Sequence, residues 1–210
     1  MKLNKKGFTL IELLAVVTIM GILMLVAIPA IARTIENTRR DTFKDTAQKY
    51  IKAIANEIIA DQLTCGTTTS NYSVSASNEG TYYFLLSTTG TSKGALNNEI
   101  KQQTLDLLES GGKSSWGKQD VSGVVVWTKT NTGDQYKYVY SVLLVDSANH
   151  GIKNIVLEDN LTRSKVLTNT NTGDDKLAYS SLTGDTFKST LVAHKGDSSL
   201  ATTSVECTLS

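Results

Sequence analysis

Phe8 and Glu12 carry the most specific chemistry in this sequence. Residues 5–30 read KKGFTLIELLAVVTIMGILMLVAIPA, and Glu12 is the sole charge between Phe8 and Ala32. An acid inside a membrane-length apolar segment is costly and usually has a partner. A cut between Gly7 and Phe8 creates one: a new α-amine on Phe8, about one helical turn from Glu12 and in the same apolar layer. Within one chain the two can pair, although a helix N-terminus already carries partial positive charge. Between neighbouring chains, the pair would set the axial stagger of one helix against the next.

Other reactive groups give weaker patterns. Asp146, Ser147 and His150 lie close together, and His194 is the only other histidine. They suggest a hydrolytic site, but such sites are recognised by geometry, and the plainer reading is a polar turn. Asp174, Asp175 and Asp185 are candidate calcium ligands without EF-hand spacing. The sequence has no phosphate-binding loop, no CxxC and no metal-ligand cluster. No catalytic residue, metal or cofactor is therefore assigned, and the chain is not read as an enzyme. Cys65 and Cys207 are the only cysteines. In an exported chain they suggest one disulfide that ties the last strand to the helix end. Such a crosslink contributes about 2–4 kcal/mol. The alternative is two free thiols in a reducing habitat.

Composition bounds what must hold these groups. The chain has 210 residues, 40% hydrophobic and 20% charged, which suits one ordinary domain with an appendage. Net charge is +1; of the 21 basic residues, three lysines precede Phe8, and the remaining 18 face 20 acids. No basic stripe indicates nucleic acid as a partner. Residues 8–32 are long enough to span a bilayer, which takes about 20 apolar residues. The lysines Lys2, Lys5 and Lys6 predict that the N-terminus faces the cytoplasm and the rest lies outside. Three readings compete. A cleaved secretory signal fits the basic head and the small residues at 30–32, but the apolar run exceeds the usual ~7–15 residues. A plain anchor fits the length. A segment retained for packing protein against protein is the reading that gives Glu12 a use.

The short basic leader ending in Gly7, Phe8 directly after it, Glu12 at the fifth mature position, and an apolar helix carrying Gly21 and Pro29 together resemble the N-terminus of type IV prepilins. The close match covers roughly residues 1–35. The resemblance implies cleavage after Gly7 by a membrane prepilin peptidase and N-methylation of Phe8. It implies a filament in which Glu12 of one subunit meets the Phe8 amine of another. It also implies that the segment between Gly21 and Pro29 can unwind when the helix leaves lipid for the filament.

The expected fold is α+β, a pilin fold in which one long helix packs on an antiparallel sheet. Residues 1–7 form the cleaved leader, 8–32 the transmembrane or filament-core helix, 33–63 its amphipathic half, and 64–210 the extracellular globular domain. One helix of about 80 Å is predicted from Phe8 to about Leu63, kinked at Pro29. Phe43, Ala47, Tyr50, Ile51, Ile54, Ala55, Ile58 and Ile59 recur on one face, with i,i+4 pairs Glu36–Arg40 and Asp45–Lys49 outside. Gly66 is the expected C-cap. Strands are predicted at 123–130, 135–145 and 151–159, the first two joined by an Asn-Thr-Gly-Asp turn with Gly133 at positive φ. Tyr136, Tyr138, Tyr140, Val142 and Leu144 share a face of the second. A second helix is expected over 95–109, with Leu96, Ile100, Leu107 and Leu108 inward, and short strands at 176–180, 190–192 and 204–209. Asn71 and Asn160 fit a glycan sequon, read as chance in a bacterial filament protein.

The functional expectation is a structural subunit of a type IV pilus, a homo-oligomeric filament for adhesion, aggregation or twitching motility. Its partners would be the prepilin peptidase and an assembly machinery with cytoplasmic ATPases. Before assembly it would sit in the cytoplasmic membrane, and afterwards in an extracellular filament. A minor pilin or a pseudopilin of a type II secretion or DNA-uptake apparatus shares the same N-terminus. From a different class, a monomeric anchored domain that binds a surface ligand has no need of Glu12.

Overall fold

A computed structural model of the chain describes residues 8–67, 70–76, 78–88, 103–104, 106–108, 114–117, 119–173, 177–182 and 204–210. Helix α1 (Leu10–Ile59) continues without a break through Gly21 and Pro29. The chain divides into two compact units, Met1–Thr38 and Arg39–Ser210. In the first, every residue from 8 to 35 is exposed. Its apolar side chains enter no core among the described residues.

In the second unit α1 is amphipathic, and its buried residues are Phe43, Ala47, Tyr50, Ile51, Ile54 and Ile58. Each is the next on one helical face, at steps of three or four or beside one another at 50–51. Ile59, expected on that face, is 83% exposed, because it lies one residue past the stripe at the helix end. Asp45 pairs with adjacent Lys44 (3.3 Å) instead of Lys49. The helix also ends earlier than its pattern suggests. The Gln62 amide donates to the Glu57 carbonyl (3.0 Å) and the Asp61 amide to Ile58 (3.3 Å). Asp61 itself has φ 55. This is a Schellman-type stop with Asp61 in the left-handed position usually given to glycine. The Asp61 carboxylate adds a tie, accepting from the Ser75 amide and hydroxyl, both at 3.0 Å. Gly66 is thus no C-cap; with Leu63 it lies in the first strand.

The strands are β1 (Leu63–Thr67), β2 (Ser70–Ser73), β3 (Gly80–Ser87), β4 (Val121–Asn131), β5 (Tyr136–Asp146), β6 (Gly151–Ile152), β7 (Val156–Leu157), β8 (Val166–Leu167) and β9 (Val205–Leu209). They form one sheet of order β2-β1-β9-β3-β4-β5-β6-β8, with β7 also on β5. The sheet is mixed, not purely antiparallel, because β9 runs parallel to β3. The β4–β5 hairpin turns where expected: Gly133 has φ 99 and donates to Asn131 Oδ1 (2.8 Å). The third strand of the predicted meander is split into β6 and β7, followed by a 3₁₀ turn, η1 (Glu158–Asn160). A second turn, η2 (Arg163–Lys165), precedes β8. Where a strand is expected at 176–180, the described residues from 177 lead into the 3₁₀ helix η3 (Tyr179–Leu182). The strand at 190–192 and most of the helix at 95–109 lie outside the described residues, although Leu107 and Leu108 pack, half-buried, against the core.

Alternation along the central strands makes two cores. Phe84, Val125, Trp127, Val142 and Leu144 face α1, with Tyr138 and Tyr140 at their margin. Leu85, Val124, Val126, Leu143 and Val145 form a second cluster with Ile155, Leu177 and Leu182. A fully buried side chain of this size contributes about 1.5–3 kcal/mol.

Candidate functional site

The helix N-terminus is built by Thr9. Its carbonyl accepts the first helical bond from the Leu13 amide (3.2 Å), which makes Thr9 the N-cap. Glu12 Oε2 reaches back to accept from the Thr9 amide (2.9 Å) and the Thr9 hydroxyl (2.8 Å), and the Glu12 amide points at Thr9 Oγ1 (3.4 Å). This reciprocal pattern is a capping box. Glu12 therefore has a partner in its own chain, Thr9, which the sequence reading did not name. The signal was present in the sequence as Thr-x-x-Glu, but its position in an apolar run drew attention to the charge alone. Gly7 lies outside the described residues. Phe8 precedes the helix and is 88% exposed.

The remaining predicted residues of the segment have plain surroundings. A Cβ placed on Gly21 would meet nothing within 4 Å, so this chain's own packing does not require glycine there. Pro29 lies inside α1 and gives the Leu25 carbonyl no amide to accept from. Thr18 returns its hydroxyl to the Ala15 carbonyl (2.9 Å), and Thr34 to Ala30 (3.0 Å). Such back-bonding satisfies a hydroxyl where water is absent.

Cys65 and Cys207 are joined in a disulfide. They are direct cross-strand partners on β1 and β9, and both are buried.

The Asp146–His150 pair is not assembled into a hydrolytic triad. His150 Nδ1 lies 2.9 Å from Asp146 Oδ2, but the Ser147 hydroxyl donates to Gln119 Oε1 (2.7 Å). Asp146 is fully buried and accepts from the Ala148 and His150 amides and from the Ser114 hydroxyl. The His150 ring stacks on Trp116 (4.7 Å between centroids). These contacts make a turn anchor. Asp174, Asp175 and Asp185 lie outside the described residues, whereas Asn71 and Asn160 are both exposed.

Residues 2–28 match the family model described as the prokaryotic N-terminal methylation motif. It is the class III signal peptide of type IV pilins. No curated protein and no solved structure matches the chain. The match supports a type IV pilin-like or pseudopilin protein, with a segment fit for membrane anchoring before assembly.

Proposed function

We propose that the chain is a structural subunit of a type IV pilus, cleaved between Gly7 and Phe8, N-methylated on Phe8, and assembled through residues 8–35. The observation that carries this reading is the exposure of the whole methylation-motif helix. An apolar surface of this extent is covered by lipid or by other helices. Lipid accounts for the apolar residues, and the Thr9 capping box accounts for part of what Glu12 can bind. Thr9 makes two bonds to one of its oxygens, and a carboxylate has about four acceptor sites. Glu12 therefore keeps capacity for the Phe8 amine of a neighbouring subunit while capping its own helix. The peptidase and cytoplasmic assembly ATPases are the implied partners.

The test compares membrane-fraction abundance with the yield of sheared filaments. Glu12→Ala is expected to insert normally and to yield few or no filaments. Thr9→Val keeps the carboxylate and loses only the hydroxyl part of the cap, about 0.5–2 kcal/mol; filaments are expected to persist at reduced yield. Normal filament yield from Glu12→Ala would remove the assembly contact from the proposal. Equal surface display with no filaments in any version, wild type included, would favour the anchored monomer.

A further inference from the structure

The disulfide sits inside one continuous row of the sheet. Read across the strands, the direct partners are Tyr72 on β2, Cys65 on β1, Cys207 on β9, Phe84 on β3, Val125 on β4, Val142 on β5 and Val156 on β7. Every member of the row packs in the core that faces α1. Opposed side chains of an antiparallel pair lie about 5 Å apart at Cβ, so the Tyr72 ring stands directly beside Cys65. Phe84 flanks Cys207 on the other side.

Cys65 is 0% exposed and Cys207 1%, and this burial decides their chemistry. Reduction begins when a thiolate attacks one sulfur along the S–S axis; the other sulfur leaves as a thiolate and is protonated. A dithiol reductant then displaces the bound cysteine with its second thiol, leaving two cysteine thiols and a cyclic disulfide. Neither sulfur offers that approach while the row is closed, so part of its cover must move first. The cover is unequal. Phe84 is fully buried, on a strand paired along both sides. The end of β9 is tied down: the Ser210 amide donates to the Gln62 carbonyl and the Ser210 hydroxyl bonds the Thr64 hydroxyl, both at 2.8 Å. Tyr72 is half-buried and lies on an edge strand of 4 residues that, among the described residues, pairs with β1 alone. Elements with few buried contacts open at the lowest free-energy cost.

We propose that Tyr72 gates this disulfide: dithiols reduce the Cys65–Cys207 bond only while β2 is released from β1, and the folded domain stays crosslinked in a reducing medium until that edge opens. The proposal does not depend on filament assembly, so it is tested on the full chain in detergent micelles, with dithiothreitol in excess and released thiol followed in time. Reduction is expected to be at least about a hundredfold slower than for the same chain unfolded in urea. Tyr72→Ala is expected to speed it about tenfold, with Tyr72→Leu, a milder truncation, in between. Tyr72→Phe keeps the ring and should match the wild type. Val156→Ala, at the opposite end of the same row, should lower the thermal midpoint and leave the reduction rate unchanged. Equal rates for the folded and unfolded chains, wild-type rates from both Tyr72→Ala and Tyr72→Leu, a Tyr72→Phe rate matching the alanine variant, or equal acceleration by Val156→Ala would each overturn the proposal.

Discussion

Tyrosine hydroxyls are where individual residues feel the fold most. Burial, with some help from Glu206, pushes Tyr83 up to about 12. Burial, followed by Tyr138 and Glu158, does the same for Tyr140. Burial alone raises Tyr50, which is wholly enclosed between α1 and the sheet. Unfolded tyrosines titrate near about 10. Between about pH 10 and 12 the folded chain therefore holds protons that the unfolded chain has released. The stability linked to these groups is complete below about pH 10 and is lost as pH rises through that window. Lys129 acts in the opposite sense. Desolvation lowers its pKa, offset in part by Asp61, so its contribution improves as pH rises just below the ordinary lysine value. Its amine sits 4.2 Å from the Tyr136 ring centre and donates to the Val74 and Ser75 carbonyls. Burial also raises Tyr72 and Tyr138, so one lysine opposes five tyrosines and the net slope is negative. The urea midpoint is expected to fall from about pH 10 upward, and Tyr83→Phe/Tyr140→Phe should flatten the fall. A midpoint that stays level or rises over that range would show that these hydroxyls are not protected.

Among the elements, β9 holds the sheet together. It pairs with β1 on one side and β3 on the other, and among the described residues no other strand joins β1 and β2 to the rest. The disulfide fixes it from a sequence separation of 142 residues. Replacing both cysteines, Cys65→Ser/Cys207→Ser, is expected to cost about 2–4 kcal/mol. Amides of β1 and β9 should exchange with solvent before those of β4 and β5; uniform protection across the sheet would contradict this division. The long-range pairing behind that prediction was the least legible part of the chain. Sequence alone gave the helical stripe from Phe43 to Ile58 and the Gly133 hairpin, because both depend on local periodicity or one backbone angle. It missed the parallel β3–β9 contact, which no local pattern encodes. It missed the second core because Leu143 and Val145 alternate with the helix-facing residues of β5, and only the fold supplies Ile155, Leu177 and Leu182 to cover them. The helix stop was misplaced for a physical reason: Asp61 adopts the left-handed conformation normally assigned to glycine, stabilised by Ser75. At the candidate site the Phe8–Glu12 spacing was legible, and the capping role of Thr9 was written in the same four residues but outweighed by the charge.

For the whole molecule, the two units differ in what they require. All buried hydrophobic residues among those described lie at Phe43 or beyond. Residues 8–35 bury nothing, so deleting them removes apolar surface without removing core. A fragment beginning at residue 33 keeps Asp41, which anchors Arg163. It also keeps the Arg39 carbonyl, which accepts the Ser115 hydroxyl at 2.7 Å. The fragment is expected to be a soluble monomer in water, with the same thermal midpoint as the Arg39–Ser210 unit of the full chain in detergent. The full chain without detergent should associate, since some 25 consecutive membrane-grade residues cannot remain exposed to water. Sedimentation and calorimetry of the two forms provide the check. A fragment that aggregates, or melts well below the full chain, would mean that residues before 33 help to hold the domain. The motif helix would then be part of one folded body, and its exposed surface could not be read as reserved for lipid and neighbouring subunits. A matching midpoint would leave assembly as the remaining use for the apolar face, since the domain it carries would stand without it.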